Sequence, residues 1–313
     1  MKLVVTGALG HIGSALIRAL PDRFAGVEAV LIDNLATQRY PSLFDLPAHG
    51  RYRFIEADVR AIDLRPLFHG AEAVVHLAAL TDAEGSVARA AAVEANNYQA
   101  TEAVAMACLE TGARLLHLSS TSVYGTQAAT VAEDCPREAL KPQSPYAATK
   151  LKEEELVTSL RGAGLRAVIA RFGTIFGVSP GMRFHTAVNK FCWQAAMGRP
   201  LSVWRTAYEQ QRPYLDLRDA IAAIAFVIER DLFDGRIYNV LTLNATVRRI
   251  VETIRTKVPD LDVAFVDSPI MNQLSYEVSA RRLAEAGFAA TGDLACGIAE
   301  TIALLRAAGT RDG

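Results

Sequence analysis

Little in this sequence points to metal, disulfide or membrane chemistry. Its four cysteines, Cys108, Cys135, Cys192 and Cys296, are scattered, with no C-x-x-C pair and no histidine at ligand spacing, which argues against zinc and against a disulfide framework. Free thiols in a reducing cytoplasm fit that usage, and no metal site is expected. Charge of one sign is also missing: 33 Lys and Arg stand against 34 Asp and Glu, a formal net charge of −1, with no long basic run. The chain therefore carries no electrostatic footprint for nucleic acid or an anionic membrane surface, while small anionic ligands stay open. No apolar run is long enough to span a bilayer. Met1-Lys2 leads straight into Leu3-Val4-Val5 and a glycine turn rather than a signal peptide. Repeats, low-complexity segments and charge blocks are lacking too, so a soluble globular protein is expected.

What is present suffices for a large core: 51% of the 313 residues are hydrophobic and 21% charged, which predicts one large domain with a smaller appendage. Residues 2 to 13, KLVVTGALGHIG, read as a strand, a tight turn and the start of a helix that continues through Ser14 to Leu20. Gly7 permits the turn, Gly10 lets a pyrophosphate approach the backbone, and Gly13 lets the helix pack closely on the sheet. Glycine-rich turns open many helices, so the reading depends on context. A second strand, Val27 to Ile32, ends at Asp33, twenty positions after Gly13, where a dinucleotide fold needs a carboxylate for the adenosine ribose. Such a carboxylate repels a 2′-phosphate and favours NAD over NADP, with Arg39 nearby pulling the other way. The alternative is a plain turn residue before Asn34. Further strands at Arg53 to Glu56, Ala73 to Leu77, Arg114 to Leu118 and Leu165 to Arg171 alternate with helices such as Ala88 to Leu109. The first of these leads to Asp58-Val59, within reach of an adenine, and the second to Ala78-Ala79, small enough for a cofactor to lie close. The alternation predicts an α/β fold with a Rossmann-type doubly wound parallel sheet and ligands at the C-terminal strand ends.

The stretch from Leu118 to Lys150 carries the chemistry, opening with LSSTSVYG and closing with SPYAATK. Ser144 followed by Pro145 is a helix-opening signature, so a helix begins just before Tyr146. Lys150 then falls one turn above Tyr146 on the same face, an ammonium beside a phenol. A free tyrosine titrates near pH ~10, and each unit of depression needs about 1.4 kcal/mol of preference for the phenolate, which a cation in a poorly solvated cleft supplies. Tyr146 is thus expected to be acidified and to act as a general base, with Ser120 hydrogen-bonding the same substrate hydroxyl. Y-x-x-x-K also arises by chance on surface helices. Against chance, the glycine turn, Asp33, Ala78-Ala79 and Ser120 all fall at C-terminal strand ends.

With these residues the chain resembles the extended short-chain dehydrogenase/reductases, in the sugar-nucleotide epimerase and dehydratase group, and is closest in pattern to the UDP-galactose 4-epimerases. The matches are TGALGHIG, Asp33, HLAAL, ANNYQAT, LSSTSVYG, SPYAATK and RFGTIFG, in the family's order across residues 6 to 177, with weaker ones in RPYLDLRD, IYNV and SYEVSARRL. The resemblance implies a catalytic set of Ser120, Tyr146 and Lys150. It implies cofactor contacts from Gly7, Gly10, His11, Ile12, Gly13, Asp33, Asn34, Asp58, Val59, Leu77, Ala78, Ala79, Thr81, Asn97, Tyr146 and Lys150, with Asp82 also near. Asn97 matches an N-x-x-G-T motif in which Ala100 replaces the glycine, and a polar residue at a helix N-terminus is the other reading. Substrate contacts are implied from Thr81, Ser120, Thr121, Thr174, Arg183, His185 and Arg212. Arg183 and His185 also read as a solvent-facing loop pair, and Arg212 as a partner for Asp216 or Asp219. A smaller mixed C-terminal substrate lobe is expected over about residues 174–212 and 241–313, leaving 1–173 plus about 213–240 as the NAD-binding domain. There, Val188, Phe191, Cys192 and Ala195 line one side of a helix, and Leu294, Ile298, Ile302 and Leu305 form a final amphipathic one.

Departures from the family pattern narrow the reaction. Related 4,6-dehydratases carry an Asp-Glu pair directly after the catalytic hydroxyl residue, and decarboxylases a glutamate at the second of those positions; here they are Thr121 and Ser122. Neither offers a carboxylate, so hydride chemistry at one carbinol carbon remains. Thr174 stands where many members have asparagine. The expected activity is NAD-dependent epimerisation of a nucleotide-diphosphate sugar at C4 through a transient 4-keto intermediate. A 4-ketoreductase or dehydrogenase and a dehydratase with relocated acid and base groups are the alternatives. A non-catalytic NAD-binding regulator is a third, though it has no need for Ser120, Tyr146 and Lys150 together. A homodimer through the helices holding Ala88 to Leu109 and Tyr146 to Leu160 is also implied.

Overall fold

The computed structural model describes residues 1–81, 90–127, 129–267 and 275–308. The first half alternates strand and helix: β1 (Lys2–Thr6), α1 (His11–Arg23), β2 (Glu28–Asp33), β3 (Arg51–Glu56), α2 (Arg65–Phe68), β4 (Ala73–His76), α3 (Ala90–Thr111), β5 (Arg114–Ser120), α4 (Pro145–Ser159) and β6 (Ala167–Phe172). The second half is more mixed: β7 (Thr174–Phe176), α5 (Ala187–Ala196), β8 (Leu201–Trp204), β9 (Gln211–Asp216), α6 (Leu217–Glu229), β10 (Ile237–Val240), β11 (Leu243–Thr246), α7 (Val247–Arg255), β12 (Val263–Val266), α8 (Arg281–Glu285) and α9 (Leu294–Ala307).

Seven strands form one parallel sheet in the order β10-β6-β5-β4-β1-β2-β3. Its central strands are apolar on consecutive residues rather than alternate ones, as in Leu3-Val4-Val5, Val74-Val75, Leu115-Leu116 and Val168-Ile169, all essentially inaccessible to solvent. That is the pattern of a sheet covered on both faces. On one side Leu16, Ile17 and Leu20 of α1 pack with Ile224, Val227 and Ile228 of α6. On the other lie Phe68 of α2, Val104 and Cys108 of α3, and Val157 of α4. Each such buried Val, Leu, Ile or Phe contributes about 1.5–3 kcal/mol relative to exposure.

A separate apolar cluster holds the mixed half. Val188, Phe191, Cys192 and Ala195 of α5 meet Val247, Ile250, Val251 and Ile254 of α7 and Leu294, Ile298 and Ile302 of α9, the i, i+3, i+4, i+7 spacing of one helix face. β9 joins β7 and β11 in a three-stranded sheet. The chain returns to the parallel sheet at Asp216, whose carboxylate caps α6 by accepting from Arg218 N. The strand order reverses at β1, with β2 on one side and β4 on the other, and the crevice outside such a switch point is where open α/β sheets take ligands. Among the described residues no helix is long and apolar enough to cross a membrane.

Candidate active site

The segment after β1 builds one end of a cleft of about 450 Å³. Gly7 turns with φ +66°, and a Cβ there would sit 2.6 Å from Ala78 N, so only glycine lets the turn pass the end of β4. A Cβ at Gly13 would meet Gly7 O at 2.4 Å, which explains the close seating of α1. Asp33, the last residue of β2, has both oxygens engaged: Oδ2 accepts from Leu9 N and Oδ1 from Leu35 N, each at 3.0 Å. Its carboxylate is thereby fixed against the glycine turn. Gly10, His11, Ile12, Asn34, Asp58, Val59, Leu77, Ala78, Ala79 and Thr81 line the same cleft. Asp58 is ionised throughout the physiological range, its pKa lowered to about 2 chiefly by the hydrogen bond from Arg60.

Further along the cleft wall come Ser120 and Tyr146. Ser120 ends β5 and caps a short 3-10 turn, its Oγ accepting from Ser122 N at 3.2 Å and from Ser122 Oγ at 2.9 Å. The Ser144-Pro145 signal works as expected, since Ser144 Oγ accepts from Ala147 N at 3.1 Å and α4 starts at Pro145. Lys150 follows one turn later, its Nζ 5.9 Å from the centre of the Tyr146 ring. The ammonium does not line the cleft but lies buried beneath it, donating to Glu153 Oε2 at 2.8 Å. This overturns the expected acidity of Tyr146. Its pKa is raised, because burial penalises the phenolate more than Lys150 favours it and the Glu153 carboxylate adds to the rise.

Thr174, Arg183, His185 and Arg212 also line the cleft, with Tyr214 and Tyr276. Arg183 is carried by a strap, residues 177–186, that lies across the glycine turn. Ser179 Oγ donates to His11 O at 2.9 Å, Gly181 N donates to Ser14 Oγ at 2.9 Å, and His11 Nε2 donates to Gly177 O at 2.8 Å. A Cβ at Gly181 would come within 2.4 Å of Gly10 O, so strap and turn are in backbone contact. Burial lowers the pKa of His11 to about 4 and keeps it a neutral donor. Arg183 also donates to Thr81 Oγ1. Asp216 is engaged by Arg218, and Asp219 accepts from Thr242, Thr291 and Gly292. Arg212 instead donates to Gln210 Oε1 at 3.3 Å.

Besides Lys150, two expected site residues stand back from the cleft. Thr121 Oγ1 donates to Phe172 O and meets Tyr276 OH. Asn97 lies well inside α3, not at its N-terminus, and clasps Leu80 by both its N–H and its carbonyl, at 2.8 and 3.0 Å; its neighbour Asn96 lines the cleft. Asp82 lies outside the described residues. Sequence reasoning passed over Tyr276, Tyr214 and Lys190, which also face the cleft, and read Ser122, another lining residue, only for its lack of a carboxylate.

Residues 3–240 match the NAD dependent epimerase/dehydratase family. The chain belongs to that family. Among the epimerase/dehydratase relatives is the UDP-glucose 4-epimerase of Azospirillum brasilense, 30% identical over 282 residues and spanning 81% of this chain and 76% of that one. The dTDP-glucose 4,6-dehydratase of Streptomyces griseus is 28% identical, over 96% of this chain and 93% of its own. A tyrosine-to-phenylalanine variant of the UDP-glucuronic acid 4-epimerase of Bacillus cereus, in complex with UDP-4-deoxy-4-fluoro-glucuronic acid and NAD, superposes with a TM-score of 0.88 at 25% identity, over 98% of this chain and 99% of that one.

Proposed function

We propose that this protein is an NAD-dependent sugar-nucleotide epimerase acting at C4. One observation supports the reading: a single cleft is lined by Gly7 and the fixed Asp33 carboxylate, by Ser120 and Tyr146, and by Arg183 and Arg212. The cradle fits NAD, since the glycine turn, held in shape by the close approaches at Gly7 and Gly13, lines the cleft at the start of α1, and Asp33 is an acceptor for ribose hydroxyls that would repel a 2′-phosphate. When bound, NAD supplies the hydride acceptor and donor. The chain does the rest. Tyr146 takes the proton of the sugar C4 hydroxyl and returns it, Ser120 holds that hydroxyl, and Lys150 supplies positive charge from below. Arg212 and Arg183 take the diphosphate or sugar, guanidinium geometry suiting paired phosphate oxygens. The cofactor contacts are read as Gly7, Gly10, His11, Ile12, Gly13, Asp33, Asn34, Asp58, Val59, Leu77, Ala78, Ala79 and Thr81. We assign residues 1–173 with about 213–240 to the cofactor-binding part and the remainder to the substrate lobe.

Dehydratase relatives make water elimination the rival, but Thr121 and Ser122 supply no carboxylate where it needs an acid and a base. Incubation with UDP-glucose in deuterated water, followed by NMR, separates the two. Epimerisation gives the C4 epimer with unlabelled ring carbons, and label in the product, or a 4-keto-6-deoxy sugar, refutes the assignment. We further propose a homodimer through α3 and α4, which pack side by side and leave Met106 exposed, in the reducing cytoplasm that the four free thiols suit.

A further inference from the structure

Beneath Tyr146 lies charge that the reaction as described leaves unused. Glu153 is fully buried. Its Oε2 accepts from Lys150 Nζ at 2.8 Å and Thr101 Oγ1 at 3.1 Å, and lies 3.4 Å from His117 Nε2. Among the described residues its Oε1 has no hydrogen-bond partner, and neither ring nitrogen of the buried His117 has one. The His117 ring stacks at 6.0 Å on His76, which is tied to Thr6 Oγ1 at 2.7 Å and Thr101 Oγ1 at 3.2 Å. Polar groups left half-satisfied in a core are costly, and packing alone has no use for them. The next residue makes the contrast. Glu154, also buried, accepts from Arg171 through both oxygens and from Ser119.

We propose that Glu153 is a positioning residue for Tyr146: its carboxylate holds Lys150 in place and neutralises the ammonium, and so sets the pH above which the phenol ionises. The inference rests on the reading of Tyr146 as the base. An ammonium alone beneath a phenol makes the phenolate its natural counter-charge. With a carboxylate at 2.8 Å that charge is already met, and the phenol faces a nearly neutral pair. The other groups around the pair leave this balance intact. On α4, Glu154 is matched by Arg171 of β6. From β5 and β4 come His117 and His76, both kept neutral by burial, and α3 contributes the Thr101 hydroxyl. From the strap, Arg183 adds positive charge toward Tyr146.

The test is the ionisation of Tyr146, read as the tyrosinate absorbance of the intact protein less that of Tyr146→Phe across pH. Glu153→Gln should lower the midpoint by about one pH unit or more, a tenfold rise in phenolate at a given pH, because one negative charge leaves the surroundings of the phenol. The acidic limb of the turnover profile should move the same way. Glu153→Asp keeps the charge but withdraws it by one methylene, so it should give a smaller downward shift, and it replaces the glutamine variant if that one does not fold. An unmoved midpoint assigns Glu153 to packing, and an upward one assigns it to keeping Lys150 protonated; either overturns the proposal. Absorbance needs no substrate, so a protein that turns over no sugar nucleotide would defeat the epimerase reading and leave this measurement standing.

Discussion

Where we assign the cofactor, the cleft is walled by backbone and by a carboxylate whose hydrogen bonds are already made. Where we assign the sugar, it is walled by side chains brought together from positions 81, 120, 146, 174, 183, 212 and 276. Asp33 is held by two backbone N–H groups and Gly7 by the approach of Ala78, so the first end is set by local geometry. The second depends on two sheets and the strap being correctly placed. Binding and chemistry should therefore separate when each end is mutated alone.

The largest expected effect lies at the sugar end. Tyr146→Phe should lower turnover by about 10²- to 10⁴-fold, or about 3–5 kcal/mol, while NAD affinity by calorimetry stays within a few-fold; equal loss of both would break the contrast. Next is a shared structural support. Arg171→Ala leaves Glu154 buried and unpaired, and chemical denaturation should report a loss of about 3–5 kcal/mol. At the cofactor end, Gly7→Ala should weaken NAD binding at least about tenfold, since its Cβ meets backbone that cannot retreat cheaply. Arg212→Ala should raise KM by about tenfold with kcat little changed, the cost of one charged hydrogen bond to substrate. The remaining effect is on stability and appears only in acid. His11 falls from 6.5 unfolded to about 4 folded, so folding favours its neutral form. Its contribution is whole above pH 6.5 and is lost as pH falls toward about 4, up to a few kcal/mol. Exchanging His11 for Gln should flatten that part of a stability–pH curve.

The turn and the carboxylate that we assign to the cofactor were legible as structure because they follow one another along the chain: a glycine turn, a carboxylate twenty positions on, small residues after the next strands. Ser120 and the start of α4 at Pro145 were legible for the same reason, as an apolar strand ending in a hydroxyl and a Ser-Pro cap. Tyr276 was not, because nothing near it in sequence says that it reaches Thr121, 155 positions away. Glu153 was hidden in another way. It sits in LKEEEL, which reads as a solvated face, yet Glu153 and Glu154 are both buried. The spacing i, i+3 from Lys150 was the available signal. The expected acidification of Tyr146 failed on the same blind spot, for it counted the ammonium and not the carboxylate beside it.

The contact between Gly181 and Gly10 bears on how this protein can be re-engineered. A loop borrowed from a relative to change sugar preference must also reproduce a glycine opposite the glycine turn after β1 and the hydroxyl pair Ser14 and Ser179. Grafts that exchange only the residues facing the sugar, and keep residues 177–182 as they are, should leave the dinucleotide cradle undisturbed.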